Sequence, residues 1–509
     1  MRISKIRIKN FRGYKGASEV EIGNLTTIVG KNDIGKSSVL EALDIFFNKK
    51  NAIVKIDKDD VNKDCLSEGD LITEIAVIFD ELPASIVIDS SNETSLENEF
   101  LLNSEERLEI IKRYNNGGSE KVYIKANHPS NTNCNDLLLR TQKQLQTMIG
   151  ESDIECENRT VNATMRNAIW EHYSESLELA EIEIDVTKGD TKSIYEKLEG
   201  YLPLYTLFQS DRKNSDGDSE VQDPLNKAVD QILADEEIQR SLERVAENVE
   251  RKLKEVADLT VDKLSEMNPE VAESLNPIIP PSGSLKWKDV FKKVSISGDE
   301  DIPINKRGSG VKRLILLNFF RAEAERRQND KSIPSIVYAI EEPETSQHTF
   351  HQKILIRALL ALSQADNTQV LLTTHSPIIV KELNFENLRL IVFEDGGKVV
   401  KSVESGQLPY PSLNEVNFSA FNEITEEYHN ELYGYIESEG HFDSFRTGRQ
   451  TMEYIRERRN GTTVSEQKIL TEYVRHQIHH PENTRNSRFT ELHLESSIRT
   501  MRSYIENEM

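Results

Sequence analysis

Cysteine is scarce and scattered: Cys65, Cys134 and Cys156 are the three in 509 residues, with no paired spacing. That excludes a disulfide scaffold and a four-thiolate zinc site, and it suits a reducing cytosol. No run of about 18 apolar residues occurs, so no membrane-spanning helix is expected. At the N-terminus Arg2, Lys5, Arg7 and Lys9 alternate with isoleucines and lead into no apolar core, unlike a signal peptide. Basic charge is also short. Lys and Arg number 63 against 87 Asp and Glu, a formal charge of −24. So acidic a chain is no general nucleic-acid coat, and contact with a polyanion requires a local basic patch. Internal repeats and long low-complexity segments are missing. These absences predict a cytoplasmic protein with no membrane partner. At roughly 100–200 residues per domain the length allows about three domains, or one large domain with insertions. Hydrophobic residues at 37% and charged residues at 29% keep the chain in the globular range.

Two α/β blocks flank a helical stretch. Ile3, Ile6, Ile8 and Phe11 alternate with basic residues as a strand does, and Val20 and Ile22 suggest a short second one. Leu25 to Val29 is an apolar run that stops at Gly30, before a helical pattern from Lys36 to Phe47. Residues 71–80 and Val122 to Ile124 read as further strands, and 126–220 is polar and mixed. From 225 to 268, Ile238, Leu242, Val245, Val249, Leu253 and Val256 recur at helical spacing. A continuous helix there makes an arm roughly 60 Å long. The second block has helices at 311–327 and 350–364, and strands at 334–340, 368–373 and 388–394. Gly396-Gly397 turns into Val399-Val400, and from about 420 the pattern is helical to the end.

Gly30-Lys31-Asn32-Asp33-Ile34-Gly35-Lys36-Ser37 fits the phosphate-binding pattern G-x-x-x-x-G-K-[ST], between a strand and a helix as the chemistry requires. Its glycines let backbone N–H groups wrap phosphates at a helix N-terminus. Lys36 is the candidate for the β- and γ-phosphates, and Ser37 for Mg²⁺. Ile336 to Ile340 is an apolar strand running into Glu341-Glu342-Pro343. It delivers Glu341 to the Mg²⁺ shell and Glu342 to the attacking water. Thr374-His375-Ser376 follows the apolar Val370-Leu371-Leu372, and His375 is a candidate γ-phosphate sensor. Arg307-Gly308-Ser309-Gly310 opens a helix with groups suited to phosphate. Taken singly, the histidine reads as structural and the Ser-Gly pair as a weak helix cap.

In this order the four motifs together resemble the ABC-class ATPase head, over about residues 1–80 and 300–405. The wide gap between the P-loop and the Walker B acids is similar to the SMC, RecF and OLD branch. So is Asn10-Phe11-Arg12 beside the P-loop, which makes Arg12 a candidate nucleotide contact. The resemblance implies ATP and Mg²⁺ as cofactors, bound through Arg12, Gly30, Asn32, Gly35, Lys36, Ser37 and Ser38. It further implies that Ser309-Gly310 contacts the γ-phosphate of ATP held by a second subunit, so a homodimer or larger even-numbered homo-oligomer is expected. Glu341-Glu342-Pro343-Glu344 is the form typical of OLD-like ATPases, including Gabija-type defence proteins. Glu344-Thr345-Ser346 falls where the dimer-interface D-loop lies in that family. The sequence departs from it at Ser346-Gln347-His348-Thr349, where relatives often carry Leu-His-Pro. Gln209 is a guess for the Q-loop.

OLD proteins usually continue into a Toprim nuclease. Glu439-Gly440-His441-Phe442-Asp443 spells its opening motif, but Tyr428 to Glu437 reads as helix rather than strand and no later D-x-D occurs. Arg475 and His480, with four residues between them, fit the pattern of HEPN ribonucleases. Short strings of this kind are common, and Pro481 by itself stops a helix. His476, His479 and His480 also have metal-ligand spacing on a helix, with no acidic or thiolate partner in sight. Basic clusters at Lys286 to Lys293, Arg321 to Arg327 and Arg446 to Arg459 are candidates for DNA or RNA backbone contact, though most such runs are solvated faces.

The expected fold is α/β: an ABC-type P-loop head with a helical, short coiled-coil insertion and an all-helical C-terminal domain. The expected divisions are 1–125 and 296–410 for the two head lobes, 126–295 for the arm and 411–509 for the helical module. The leading functional expectation is a regulatory ATPase of a bacterial anti-phage system, controlling a separately encoded nuclease as Septu-type ATPases do. The alternatives are a self-contained toxin cutting RNA with Arg475 and His480, and a RecF/SMC-like DNA repair ATPase.

Overall fold

The computed structural model describes residues 1–48, 52–87, 93–187, 191–209, 232–233, 235–267, 335–345, 348–394, 397–403, 412–457 and 461–509. Residues 1–208 with 327–509 form one compact unit, and 209–326 form another. The arginine-glycine-serine-glycine motif at 307–310, the helix expected at 311–327 and the basic clusters at 286–293 and 321–327 lie outside the described residues.

The first half of the larger unit comprises β1 (Arg2–Lys9), β2 (Ser18–Glu21), β3 (Leu25–Val29), α1 (Lys36–Asn48), α2 (Lys63–Ser67), β4 (Ile72–Asp80), β5 (Leu108–Asn115), β6 (Glu120–Pro129), α3 (Gln142–Glu151), α4 (Asn162–His172), β7 (Leu179–Asp185), α5 (Thr191–Leu198) and β8 (Leu204–Phe208). In the smaller unit, α6 (Glu236–Met267) is a helix of 32 residues, about 48 Å at the usual rise. The second half of the larger unit adds β9 (Ile336–Glu341), α7 (Thr349–Ser363), β10 (Thr368–Thr374), α8 (Pro377–Lys381), β11 (Leu388–Glu394) and β12 (Gly397–Ser402). Then come α9 (Leu413–Phe421), α10 (Glu426–Ser438), α11 (Phe442–Arg446), β13 (Thr451–Glu457), β14 (Thr463–Ile469), α12 (Leu470–His479) and α13 (Glu491–Glu508).

Among the described residues these strands make two six-stranded sheets and one hairpin. The first sheet runs β2-β1-β4-β5-β6-β7, antiparallel throughout. The second runs β12-β11-β3-β10-β9-β8, parallel except for the β12 edge. Every residue of β3 and of β10 is buried, the apolar signature of a parallel strand covered on both faces.

Helix α1 packs against β8, β9 and β10 of one sheet and β4 of the other. It buries Val39, Leu40, Ala42, Leu43, Ile45 and Phe46, most of its circumference, because it has a sheet on more than one side. Side chains from both sheets bond its carbonyls. Tyr205 Oη donates to Leu40 O at 2.6 Å and Lys112 Nζ to Phe46 O at 2.7 Å. The sheets are also tied directly. Gln369 of β10 accepts from Ile3 N at 2.8 Å and donates to Ile3 O at 2.8 Å and Gly23 O at 3.1 Å.

Two expectations are corrected. The boundary at 125/126 falls inside β6, and the stretch expected to be a helical arm supplies β7 and β8, one strand to each sheet. Leu-Ala-Glu-Ile-Glu-Ile-Asp in β7 alternates with a period of two, but its acidic half masked the apolar half. The C-terminal module is largely helical but not all-helical, since β13 and β14 pair antiparallel around a turn at Gly461, whose φ is +78°. Glu453, Arg456 and Glu457 are exposed along β13 and mask its alternation with charge. The buried Tyr454 holds the hairpin to α12, edge-on to Tyr473 and stacked with His476. No helix among the described residues is long and apolar enough to cross a membrane.

Candidate functional site

Parallel pairing places the C-terminal ends of β3, β10 and β9 side by side on one sheet edge, where ligands bind in open α/β sheets. Thr374 pairs with Val29 and Thr373 with Glu341, so all three motifs begin at nearly the same height.

The turn after β3 folds around one lysine. Lys36, the first residue of α1, has a side chain only 3% exposed. Its Nζ donates to Gly30 O and Lys31 O, both at 3.0 Å, and faces Glu342 Oε1 at 3.3 Å. The turn needs its glycines. A Cβ on Gly30 would sit 2.8 Å from Ile34 Cγ2, and Gly35 has φ +103°. Asp33 is also left-handed, with φ 61°, and such runs aim successive N–H groups into an anion-binding hollow. Ser37 and Ser38 lie in the first turn of α1, and Asn32 is exposed on the loop.

Glu341 ends β9. Glu342 follows with φ 39°, an uncommon conformation for a residue with a side chain and of the kind that clusters at active sites. The Glu342 amide donates to Thr373 O and Thr373 Oγ1, each at 3.1 Å, which fixes the turn against β10. Glu342 Oε2 then stands 3.2 Å from His375 Nδ1. One carboxylate thus bridges the P-loop lysine and the histidine. Glu344, which the D-loop reading put toward an interface, is buried and bonded to Thr374 and to the His375 amide.

Arg12 is held away from free solution by two acids. Its Nε donates to Asp60 Oδ1 at 2.8 Å, and its guanidinium also pairs with Glu41 on α1. Ser309 and Gly310 lie outside the described residues. Gln209 directly follows β8.

Two contacts were not visible as motifs. Tyr14 Oη donates to Gly35 O at 3.1 Å, and Lys398 Nζ to Asp33 O at 3.3 Å. Both side chains pack on Gly35 and brace the turn from outside. Burial pushes the Tyr14 phenol up and the Lys398 ammonium down from their usual ranges, the latter against the pull of Asp33. Lys398 is far from the P-loop in sequence and has no pattern of its own.

In the C-terminal module Arg475 and His480 keep separate company. The Arg475 guanidinium lies 3.8 Å from the centre of the Tyr433 ring and 3.6 Å from Glu437. His480 caps α12 and faces Glu482 at 3.2 Å. Glu439 caps α10, a helix end and not a strand end, as the sequence pattern indicated.

The hollow fits a nucleotide phosphate chain: a buried cation ringed by carbonyls, left-handed backbone, and the start of a long helix. Ser37 and Glu341 offer hard oxygen donors of the kind Mg²⁺ takes. Among the described residues no group of three His, Cys, Asp or Glu is placed to hold a metal.

Fold and site together define a P-loop ATPase. The family model described as AAA ATPase domain matches residues 1–380, and the chain belongs to that family, with the ATP binding and hydrolysis it implies. It is 22% identical over 410 residues to the endonuclease GajA of Bacillus cereus, covering 79% of this chain and 60% of that protein. It is 31% identical over 122 residues to the OLD nuclease of Thermus scotoductus, covering 24% of this chain and 21% of that protein. The chain therefore spans less than two thirds of either relative. Among solved structures, the SMC head domain from Thermotoga maritima aligns with 80% of this chain and 100% of that one, at 12% identity and a TM-score of 0.32.

Proposed function

We propose that the protein is a regulatory ATPase of a bacterial anti-phage system, which uses its ATP state to hold or release a separately encoded nuclease. ATP binds at residues 30–38, with Lys36 on the β- and γ-phosphates and Arg12 and Asn32 beside them. Ser37 and Glu341 would hold Mg²⁺, which would neutralise charge on the phosphates. Glu342 orients the attacking water and accepts its proton, and His375 reads the γ-phosphate. Ser309-Gly310 of a second protomer closes over the nucleotide, so the heads act as a dimer. Slow turnover suits a switch whose output is conformational.

The observation that carries the reading is Glu342 standing between Lys36 and His375, at 3.3 and 3.2 Å. A carboxylate so placed is freed when a phosphate takes over the lysine. The family match and the relatives named as nucleases support an ATPase head tied to a nuclease. The position of Glu439 at a helix end argues against a Toprim site at Glu439 and Asp443.

The test is expression from the native operon, with complex mass measured with and without ATP for wild type and Glu342→Gln. The reading expects loss of hydrolysis in Glu342→Gln, retained ATP binding, and a nuclease whose association changes with nucleotide. Unaided RNA cleavage lost in His480→Ala would replace it with the toxin reading. ATP-dependent duplex binding with no nuclease would replace it with a DNA-maintenance ATPase.

A further inference from the structure

Glu344 is among the most buried acids of the larger unit, with a side chain only 3% exposed. Its Oε1 accepts from Thr374 Oγ1 at 2.7 Å and from the His375 amide at 2.9 Å, and lies 3.5 Å from His375 Nδ1. Its other oxygen, Oε2, is buried without a hydrogen-bond partner. Burial accordingly pushes its acid up from the ordinary carboxyl range, against the hydrogen bonds from Thr374 and His375. An unpaired buried oxygen is costly, and an apolar residue would fill this space without that penalty.

An apolar residue could not accept the Thr374 hydroxyl and the His375 N–H at once. Those two donors define the turn that leaves β10. Thr374 Oγ1 in turn accepts from Ser376 N at 3.0 Å, and Ser376 Oγ donates to Gln352 Oε1 of α7 at 2.8 Å. The tie is reciprocal, because the Glu342 amide bonds back to Thr373 O and Thr373 Oγ1. Both ties converge on the 3.2 Å gap between Glu342 Oε2 and His375 Nδ1.

We propose that Glu344 is a positioning residue for hydrolysis: it locks the His375 turn to the Glu341-Glu342 turn and so holds the His375 ring against Glu342. The assignment rests on the reading that Glu342 and His375 act in hydrolysis. Glu344 touches no reacting atom and acts through His375. Its removal therefore lowers turnover and spares ATP binding, which belongs to the P-loop on the other side of Glu342.

The test compares kcat, KM and ATP affinity of the full chain for Glu344→Ala, Glu344→Gln, His375→Ala, Glu342→Gln and the Glu344→Ala/His375→Ala double variant. Glu344→Ala is expected to lower kcat about 10- to 100-fold with KM changed less than about threefold, the size of effect a misplaced group produces. Glu344→Gln keeps an oxygen for both donors and recovers kcat to within about fivefold of wild type. The double variant is no slower than His375→Ala alone, because the two act as one unit. Unchanged kcat in Glu344→Ala, no recovery in Glu344→Gln, or additive losses in the double variant overturn the assignment. If Glu344→Ala does not fold, Thr374→Val carries the test, with an expected fall in kcat of about fivefold at unchanged KM; wild-type turnover there overturns it. Full turnover in both Glu342→Gln and His375→Ala sinks the reading of the site itself, which is a different failure.

Discussion

The two six-stranded sheets are built of similar residues and do different work. The central strands of the parallel sheet, β3, β10 and β9, are buried nearly throughout, and the candidate chemistry sits at their C-terminal ends. There Lys36, Glu342 and His375 meet, with Glu342 in a left-handed conformation and a buried oxygen of Glu344 unpaired. The antiparallel sheet wears its polar groups on a face. Lys5 pairs with Glu19, Arg7 with Glu74 and Glu109, Arg113 with Glu74 and Glu183, and Lys125 with Glu181, a ladder across all six strands. Off the sheet, Arg166 of α4 and Glu99 form an ion pair whose side chains are 2% and 1% exposed. At the nucleotide edge Asp33 and Glu342 hold positive φ and Glu344 keeps an unpartnered oxygen, features that also occur elsewhere in the chain, whereas the charged groups on the antiparallel sheet pair across its strands.

That contrast can be broken by substitution. Lys36→Ala is expected to cut ATP hydrolysis at least about 100-fold while shifting the melting temperature by no more than about 3 °C. A loss of melting temperature to match the loss of activity would mean the edge is a structural element after all. Glu99→Ala removes the buried carboxylate that pairs with the Arg166 guanidinium and is expected to cost about 3–5 kcal/mol in denaturant unfolding. ATP affinity of the folded fraction should be unchanged. Arg113→Ala removes a half-buried member of the ladder and should cost less than about 1 kcal/mol, shrinking further at high salt. A large, salt-independent loss there would show that the ladder, too, is a buried network in effect.

How much of this was legible in the sequence depended on how local the signal was. The P-loop, the strand ending in Glu341-Glu342 and the Thr374-His375 turn were each written in consecutive residues, and the sheet edge brings them together. Strands β7 and β8 were missed because alternating acids and a five-residue length give a weak period. The β13–β14 hairpin was missed because many of its residues are charged and only Tyr454 and Ile469 are buried. Arg12 was expected to contact nucleotide, and nothing in its motif announced Asp60 and Glu41 as its partners.

By itself the sequence determined the chemistry of the nucleotide site, because wrapping a phosphate needs glycine, lysine and serine at fixed local spacing, and that spacing survives without knowledge of the fold. It also determined that two α/β blocks flank a long helix. Only the tertiary structure decided which distant residues brace that site: Tyr14 and Lys398 on Gly35, Glu344 under His375, Gln369 between the sheets. Those contacts join residues far apart along the chain, and the energy of a hydrogen bond depends on where its partners meet in space, not on any pattern either one carries.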